Sequence, residues 1–185
     1  IFSSQLSNVN FFLIDLVISL NDDYHFFIIC KNDIKPLKLK NVTYINLKFK
    51  RKISILNDIV IFFKILKLFS DINIRLILSI TPKVSLIISL VNFFFRYKRI
   101  HFYTGQIWYN KSGIKKFIFK FFDKIILNNS YFCFVDSKSQ RSFLIKEGFN
   151  KNKLKLINRG SICGVDISIF QKNLTYKKNF KKRYK

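Results

Sequence analysis

The chain reads as an α/β domain built on a parallel sheet with helices on both faces. Short apolar runs and longer amphipathic stretches alternate along nearly its whole length, as strand–helix–strand units do. The runs Phe26-Phe27-Ile28-Ile29-Cys30 and Tyr131-Phe132-Cys133-Phe134-Val135 are continuous rather than alternating, the pattern of strands buried on both faces. The composition suits a core: 49% of the 185 residues are hydrophobic, with 23 Phe but only 5 Gly and 2 Pro. That excludes a disordered tail, a collagen and a linker, and the length corresponds to about one domain of ~150 residues.

Each element has its own justification. Ile1 to Ser3 is the tail of a strand. Asn10 to Leu20 is apolar enough for a mostly buried helix. His25 to Cys30 and Val42 to Leu47 are strands. Ile53 to Phe69 is an amphipathic helix, with Ile55, Ile59, Phe62, Phe63, Leu66 and Phe69 at helical spacing and Lys64 and Lys67 opposite. Arg75 to Ile80 is strand-like and runs into Thr81-Pro82. Thr81 suits an N-cap and Pro82 a first helical position, where its missing N–H has no partner to lose; that helix runs to about Phe95. Arg99 to Thr104 is a strand ending at Gly105, Gly113 to about Leu127 a basic helix, and Tyr131 to Val135 a strand. Ser137 and Gln140 form a capping box for a helix ending at Gly148. Lys153 to Ile157 is the last strand, and residues 171–185 are a basic tail.

Lys and Arg number 34 against 10 Asp and Glu, a net charge of +24. The lysines are spread along the chain and Arg is scarce, which argues for general attraction to anionic surfaces rather than specific nucleic-acid recognition. Cys30, Cys133 and Cys163 fit neither a disulfide framework nor a zinc site. Cys30 and Cys133 lie in apolar runs and read as buried reduced thiols, as expected of a cytoplasmic protein. No apolar stretch reaches the ~18 uncharged residues of a membrane span. The chain opens on Ile1 and holds no Met; the expectation is a fragment lacking its first few residues.

In a parallel sheet, ligands bind outside the carboxyl ends of the strands. The residues there are Ser3-Ser4-Gln5, Ser79-Ile80-Thr81, Thr104-Gly105-Gln106, Asp136-Ser137 and Arg159-Gly160-Ser161. They are hydroxyls, amides and glycines with hardly an acid, a set suited to polyhydroxylated or phosphorylated ligands. No nucleophile–base pair, paired carboxylates or metal ligands stand out.

Four segments follow in order: Ser79-Ile80-Thr81-Pro82-Lys83, Arg99 to Trp108, Asp136 to Ile145, and Gly160 through Gly164-Val165-Asp166 to Phe170. Together they resemble the N-terminal half of family 4 glycosyltransferases, in the branch that builds bacterial capsule, lipopolysaccharide O-antigen and exopolysaccharide chains. Phe11-Phe12-Leu13 and Tyr24-His25-Phe26 are similar to that family's first helix and second strand. The resemblance implies a Rossmann-like domain over 1–170, the acceptor side of a two-domain B-type fold. The donor-binding domain, with its paired glutamates, would be absent, so this chain alone would be inactive. The implied reaction is metal-independent, retaining transfer from a nucleotide-sugar to a polyprenyl-linked or glycan acceptor, with no cofactor. Gly164 and Asp166 would mark the passage to the donor side. Many members carry His-Gly where this chain has Thr104-Gly105, and His101 lies three positions earlier, so no catalytic residue is assigned.

The expected acceptor-binding residues are Ser4, Thr81, Lys83, Thr104, Gly105, Gln106 and Trp108. Thr104 and Gln106 would bond sugar hydroxyls, and Gly105 would either admit a ligand to the backbone or simply make a turn. Trp108 is either a stacking platform or a structural ring, and Lys83 either a phosphate partner or a solvated charge. His101 reads as an interior histidine. The other reading of the chain is a non-catalytic basic module for membrane or nucleic acid, or an inactive remnant. At about 100° per residue, Ile114, Phe117, Ile118, Phe121 and Ile125 share one face of their helix and Lys116, Lys120 and Lys124 another. That face either packs on the sheet or lies on an anionic membrane at the cytoplasmic side, where each Lys would contribute roughly 1 kcal/mol.

Overall fold

A computed structural model describes residues 1–50, 52, 54–157, 160–164 and 180. Its strands are β1 (Phe2–Gln5), β2 (Phe26–Lys31), β3 (Val42–Asn46), β4 (Ile77–Ser79), β5 (Arg99–Tyr103), β6 (Phe132–Val135) and β7 (Leu154–Leu156). Its helices are α1 (Leu6–Phe12), α2 (Ile14–Leu20), α3 (Ile55–Asp71), α4 (Pro82–Phe95), α5 (Gly113–Asn128) and α6 (Lys138–Lys146). A single 3-10 turn, Lys151–Lys153, precedes β7.

The strands form one seven-stranded sheet in the order β3-β2-β1-β4-β5-β6-β7. All pairings are parallel, including β4 with β5, where Ile77 faces Arg99 and Ser79 faces His101. This is the Rossmann-like arrangement that the alternation of elements predicts. Chain order reverses between β1 and β4, the topological switch point. Right-handed crossovers then send α1 and α2 to one face and α3, α4 and α5 to the other.

Two cores follow. Phe2, Ile29, Ile77, Ile61, Ile65, Phe69, Val84, Ile88 and Val91 fill the space beneath α3 and α4. Leu6, Val9, Leu13 and Val17 pack with Ile28, Cys30, Leu78 and Phe102 beneath α1 and α2. A third cluster, around Trp108, Leu127, Cys133, Leu144 and Phe149, closes the β6–β7 end.

The expected helix over Asn10–Leu20 begins earlier, at Leu6, and is interrupted at Leu13 (φ −131°). Its buried residues Leu6, Val9, Leu13 and Val17 keep one face through the break, so a single apolar stripe serves both segments. The strand expected over Arg75–Ile80 narrows to Ile77–Ser79. Pro82 opens α4 at its first position as expected. The helix ends where Arg96 turns left-handed at φ +56°, and the Asn92 side chain bonds the Tyr97 N–H and C=O at 2.9 and 3.0 Å. The expected basic tail, Phe180 apart, lies outside the described residues.

Candidate functional site

Because every strand is parallel, the residues after β1, β4, β5 and β6 share one edge. At the switch point the Ser4 N–H donates to Thr81 Oγ1 at 2.9 Å, and Asn8 Nδ2 donates to Ser4 Oγ at 3.3 Å. Thr81 occupies the N-cap position of α4, but its side chain makes no bond to that helix; the expected cap hydroxyl serves β1 instead. At the start of α1, Asp33 accepts from Ser7 N at 3.0 Å and from Ser7 Oγ at 2.5 Å. Slight burial raises the Asp33 carboxyl, but the Ser7 bonds outweigh it and hold the group below its usual range. At the helix start where a nucleotide-binding Rossmann unit seats its pyrophosphate, the Ser7 N–H is therefore engaged by the chain's own carboxylate.

The open cavity lies further along the edge, between the ends of β5 and β6. It encloses about 480 Å³ between Gly105, Gln106, Ile107, Tyr109 and Asn110 of the β5–α5 loop and Ser139, Gln140 and Phe143 of α6. Gly105 sits at φ +146°, and a Cβ there would meet nothing within 4 Å, so the glycine is required by backbone conformation and faces open space. Ser137 Oγ caps α6 by accepting from Gln140 N at 3.1 Å. The return arm of the expected capping box differs: Gln140 Oε1 accepts from Asp136 N at 2.6 Å, one residue before the cap. That leaves Gln140 Nε2 to donate to Gln106 Oε1 at 3.4 Å. Gln106 Nε2 is buried and has no partner among the described residues. Among the described residues, neither Asp nor Glu lines the cavity.

The expected site residues divide accordingly. Gly105 and Gln106 line the cavity, whereas Thr104 is exposed at the edge beside it. Ser4 and Thr81 belong to the switch-point crevice. Two expectations are corrected. Trp108 is wholly buried, with its indole N–H donating to Asp123 Oδ2 at 2.7 Å and its ring stacked with Phe143 and Phe149, so it has no exposed face for a sugar. Lys83 is engaged by Asp58 Oδ1 at 2.7 Å and by the carbonyls of Lys50 and Lys52 at 2.8 and 2.7 Å; it fastens the loop before α3 rather than awaiting a phosphate. Gly164 is exposed at the end of the described segment 160–164, and Asp166 lies outside the described residues. Sequence reasoning missed Ile107, Tyr109, Asn110, Ser139, Gln140 and Phe143 as lining residues. The signal available was the pair of amides, Gln106 and Gln140, at the ends of adjacent strands.

Behind the edge, Arg99, His101 and Tyr103 alternate along β5 and are all buried. Arg99 has no carboxylate partner among the described residues; its Nε donates to Ser79 Oγ at 3.2 Å and its Nη1 to Ser89 Oγ and Asn129 Oδ1. Burial lowers its pKa to about 10. His101 Nδ1 meets Ser79 Oγ and Ser85 Oγ, each at 3.1 Å. Burial, reinforced by the Arg99 charge, holds the His101 imidazole well below its usual range. It is a neutral interior histidine with no path to a ligand. Burial likewise raises the Cys30 and Cys133 thiols to about 12, so neither is a nucleophile at neutral pH. Among the described residues, no group of three or more His, Cys, Asp or Glu could hold a metal ion.

Asp136 ties the chain after β7 to this edge: its carbonyl accepts from Ser161 N at 2.7 Å and its carboxylate from Ile162 N at 3.0 Å. A Cβ on Gly160 would meet the Asp136 carbonyl at 3.2 Å, so this close approach requires glycine.

The sheet order and its edge cavity define a Rossmann-like α/β domain. Among the solved structures that share the fold are two of HepE (Alr3699) from Anabaena. One is in complex with UDP, at 12% identity and TM-score 0.55. The other is in complex with UDP and glucose, at 13% identity and TM-score 0.58. Each match covers 93% of this chain and 45% of HepE, so the chain spans less than half the length of these neighbours. No protein-family model and no curated protein matches the chain in sequence.

Proposed function

We propose that this chain is the acceptor-side domain of a glycosyltransferase that moves a sugar from a nucleotide-sugar donor onto a lipid-linked or polysaccharide acceptor. The observation that carries this is the unpartnered Gln106 Nε2, buried at the wall of a cavity whose described lining is amides, hydroxyls and aromatic rings. A buried donor left unpaired costs about 1–3 kcal/mol, and a sugar hydroxyl or bridging oxygen entering the cavity would recover it. Tyr109 and Phe143 would offer ring faces to the sugar. The fold shared with HepE, bound to UDP and glucose, supports nucleotide-sugar chemistry in the complete enzyme. Asp33 at the start of α1 supports placing the donor elsewhere than on this domain's first crossover. Retention of configuration and membership of the family 4 polysaccharide branch rest on the sequence resemblance. The reading assigns no catalytic group to the chain.

The test is calorimetric titration of this chain with a water-soluble, short-chain polyprenyl-diphosphate disaccharide and, separately, with UDP. The disaccharide is expected to bind, and Gln106→Ala to weaken it about tenfold, as loss of one neutral hydrogen bond implies. Tighter binding of UDP than of the glycan, or glycan affinity unchanged in a folded Gln106→Ala variant, overturns the reading. In a protein that joins this domain to a donor-binding domain, the same variant should lower sugar transfer.

A further inference from the structure

Two amide side chains meet at the cavity, and the backbone fixes which way each of them points. The Asp136 N–H can only donate, so the Gln140 atom that meets it at 2.6 Å is Oε1. Gln140 Nε2 is then the atom facing Gln106 at 3.4 Å, and Gln106 turns its own Oε1 to receive it. The last atom of the series, Gln106 Nε2, is the donor left in the cavity wall without a partner among the described residues. Reversing Gln106 would set two N–H groups against each other, and reversing Gln140 would do the same at Asp136. The anchor is itself tied down. The Asp136 carbonyl accepts from Ser161 N at 2.7 Å and its carboxylate from Ile162 N at 3.0 Å. The Gln140 backbone is held by its N–H bond to the cap hydroxyl of Ser137 at 3.1 Å.

A relay that ends in an N–H group favours one kind of visitor. The ligand atom that meets Gln106 must accept a hydrogen bond, as a carbonyl oxygen does. An ammonium can only donate, and the described lining holds no carboxylate to receive it. Ile107, Tyr109 and Phe143 lie beside the amides and suit an apolar group carried next to that oxygen. The acyl group on an amino sugar supplies both, a carbonyl oxygen and a methyl group. The same sugar with a free amine supplies neither.

We infer that Gln140 is a positioning residue that fixes the donor end of Gln106, and that the cavity thereby discriminates N-acylated amino sugars from their free amines. The inference rests on the sugar-binding reading and adds to it the direction of one hydrogen bond. Two water-soluble, short-chain polyprenyl-diphosphate disaccharides are compared by calorimetry at pH 7. They differ only in the terminal sugar, N-acetylglucosamine in one and glucosamine in the other. The chain should bind the acetylated ligand about tenfold more tightly or better. Gln106→Ala should erase about tenfold of that preference, weakening the acetylated ligand and leaving the amine nearly unchanged. Gln140→Glu keeps an oxygen for the Asp136 N–H but offers a second one to Gln106 Nε2. Gln106 then turns its own oxygen to the cavity, and the preference should fall to parity or invert. An added negative charge by itself favours an ammonium, so Gln140→Glu is repeated in the Gln106→Ala background, where the change in preference should shrink severalfold. Binding of neither disaccharide by the parent overturns the sugar-binding reading and this inference with it. Three results overturn the inference alone: binding of both without preference, equal weakening of both by Gln106→Ala, or an effect of Gln140→Glu that is absent or as large without Gln106 as with it.

Discussion

The Ser4 N–H donates to Thr81 Oγ1 at 2.9 Å, joining the end of β1 to the start of α4 across the point where strand order reverses. Only a single ladder pair, Phe2 with Ser79, links these two strands, so the side-chain bond carries much of their registration. Thr81→Val keeps the shape and leaves the Ser4 N–H unpaired. Urea unfolding should show a loss of about 1–2 kcal/mol. Thr81→Ser should recover most of it.

Lys83 fastens the loop before α3 through Asp58 and two backbone carbonyls. Lys83→Met should speed proteolytic cleavage between β3 and α3 severalfold, with a much smaller change in global stability. A double-mutant cycle with Asp58→Asn should give a coupling of about 1 kcal/mol, since the pair is mostly shielded from solvent. A coupling of zero would assign the fastening to the carbonyl bonds alone.

Asp123 is buried, and desolvation raises its pKa from 3.8 to about 7 against the opposing Trp108 hydrogen bond. The native state therefore holds this proton more tightly than the unfolded chain. Its contribution favours folding below about pH 4, declines as pH rises toward 7, and is flat above that, a span of roughly 4 kcal/mol. Asp123→Asn keeps an acceptor for the indole and removes the charge. Thermal melts should show the variant more stable than the parent at pH 8 and nearly matched at pH 4. A pH slope unchanged by the substitution would locate the dependence elsewhere.

Gly105 holds φ +146° with open space where a side chain would stand. Gly105→Ala should cost about 1–2 kcal/mol from backbone strain alone. The loop should relieve that strain by moving Gln106, so disaccharide affinity should fall further than in Thr104→Ala. Equal affinities in the two variants would show that the loop conformation does not shape the cavity.

The order of the elements was legible because period survives tertiary context: continuous apolar runs became strands, and Pro82 opened a helix at its first position, although the Thr81 hydroxyl bonds β1 rather than capping it. The start of α1 was not legible, because Ser7-Asn8 interrupts the apolar run at the surface while Leu6 and Val9 carry the stripe beneath. Gly105 and Gln106 were legible as post-strand residues, since parallel topology sends all such residues to one edge. The fates of Trp108 and Lys83 were hidden, because each depends on an acid distant in sequence, Asp123 and Asp58. The wheel of α5 identified its apolar face but not its direction. Burial of Asp123 turns that face outward, and nothing local to the helix encodes that an acid points inward.

The buried indole gives the protein an internal optical reporter. Trp108 is the chain's one tryptophan, sealed from water, with the Lys116 and Lys120 ammonium groups 5.8 Å from its ring centre. Phe143 lies against it at 5.3 Å and also forms part of the cavity wall. A molecule that enters the cavity must adjust Phe143, and the adjustment reaches the indole through ring contact rather than through solvent. Its emission should start blue-shifted and respond to occupancy without any attached dye, so unlabelled glycan fractions can be screened in a cuvette.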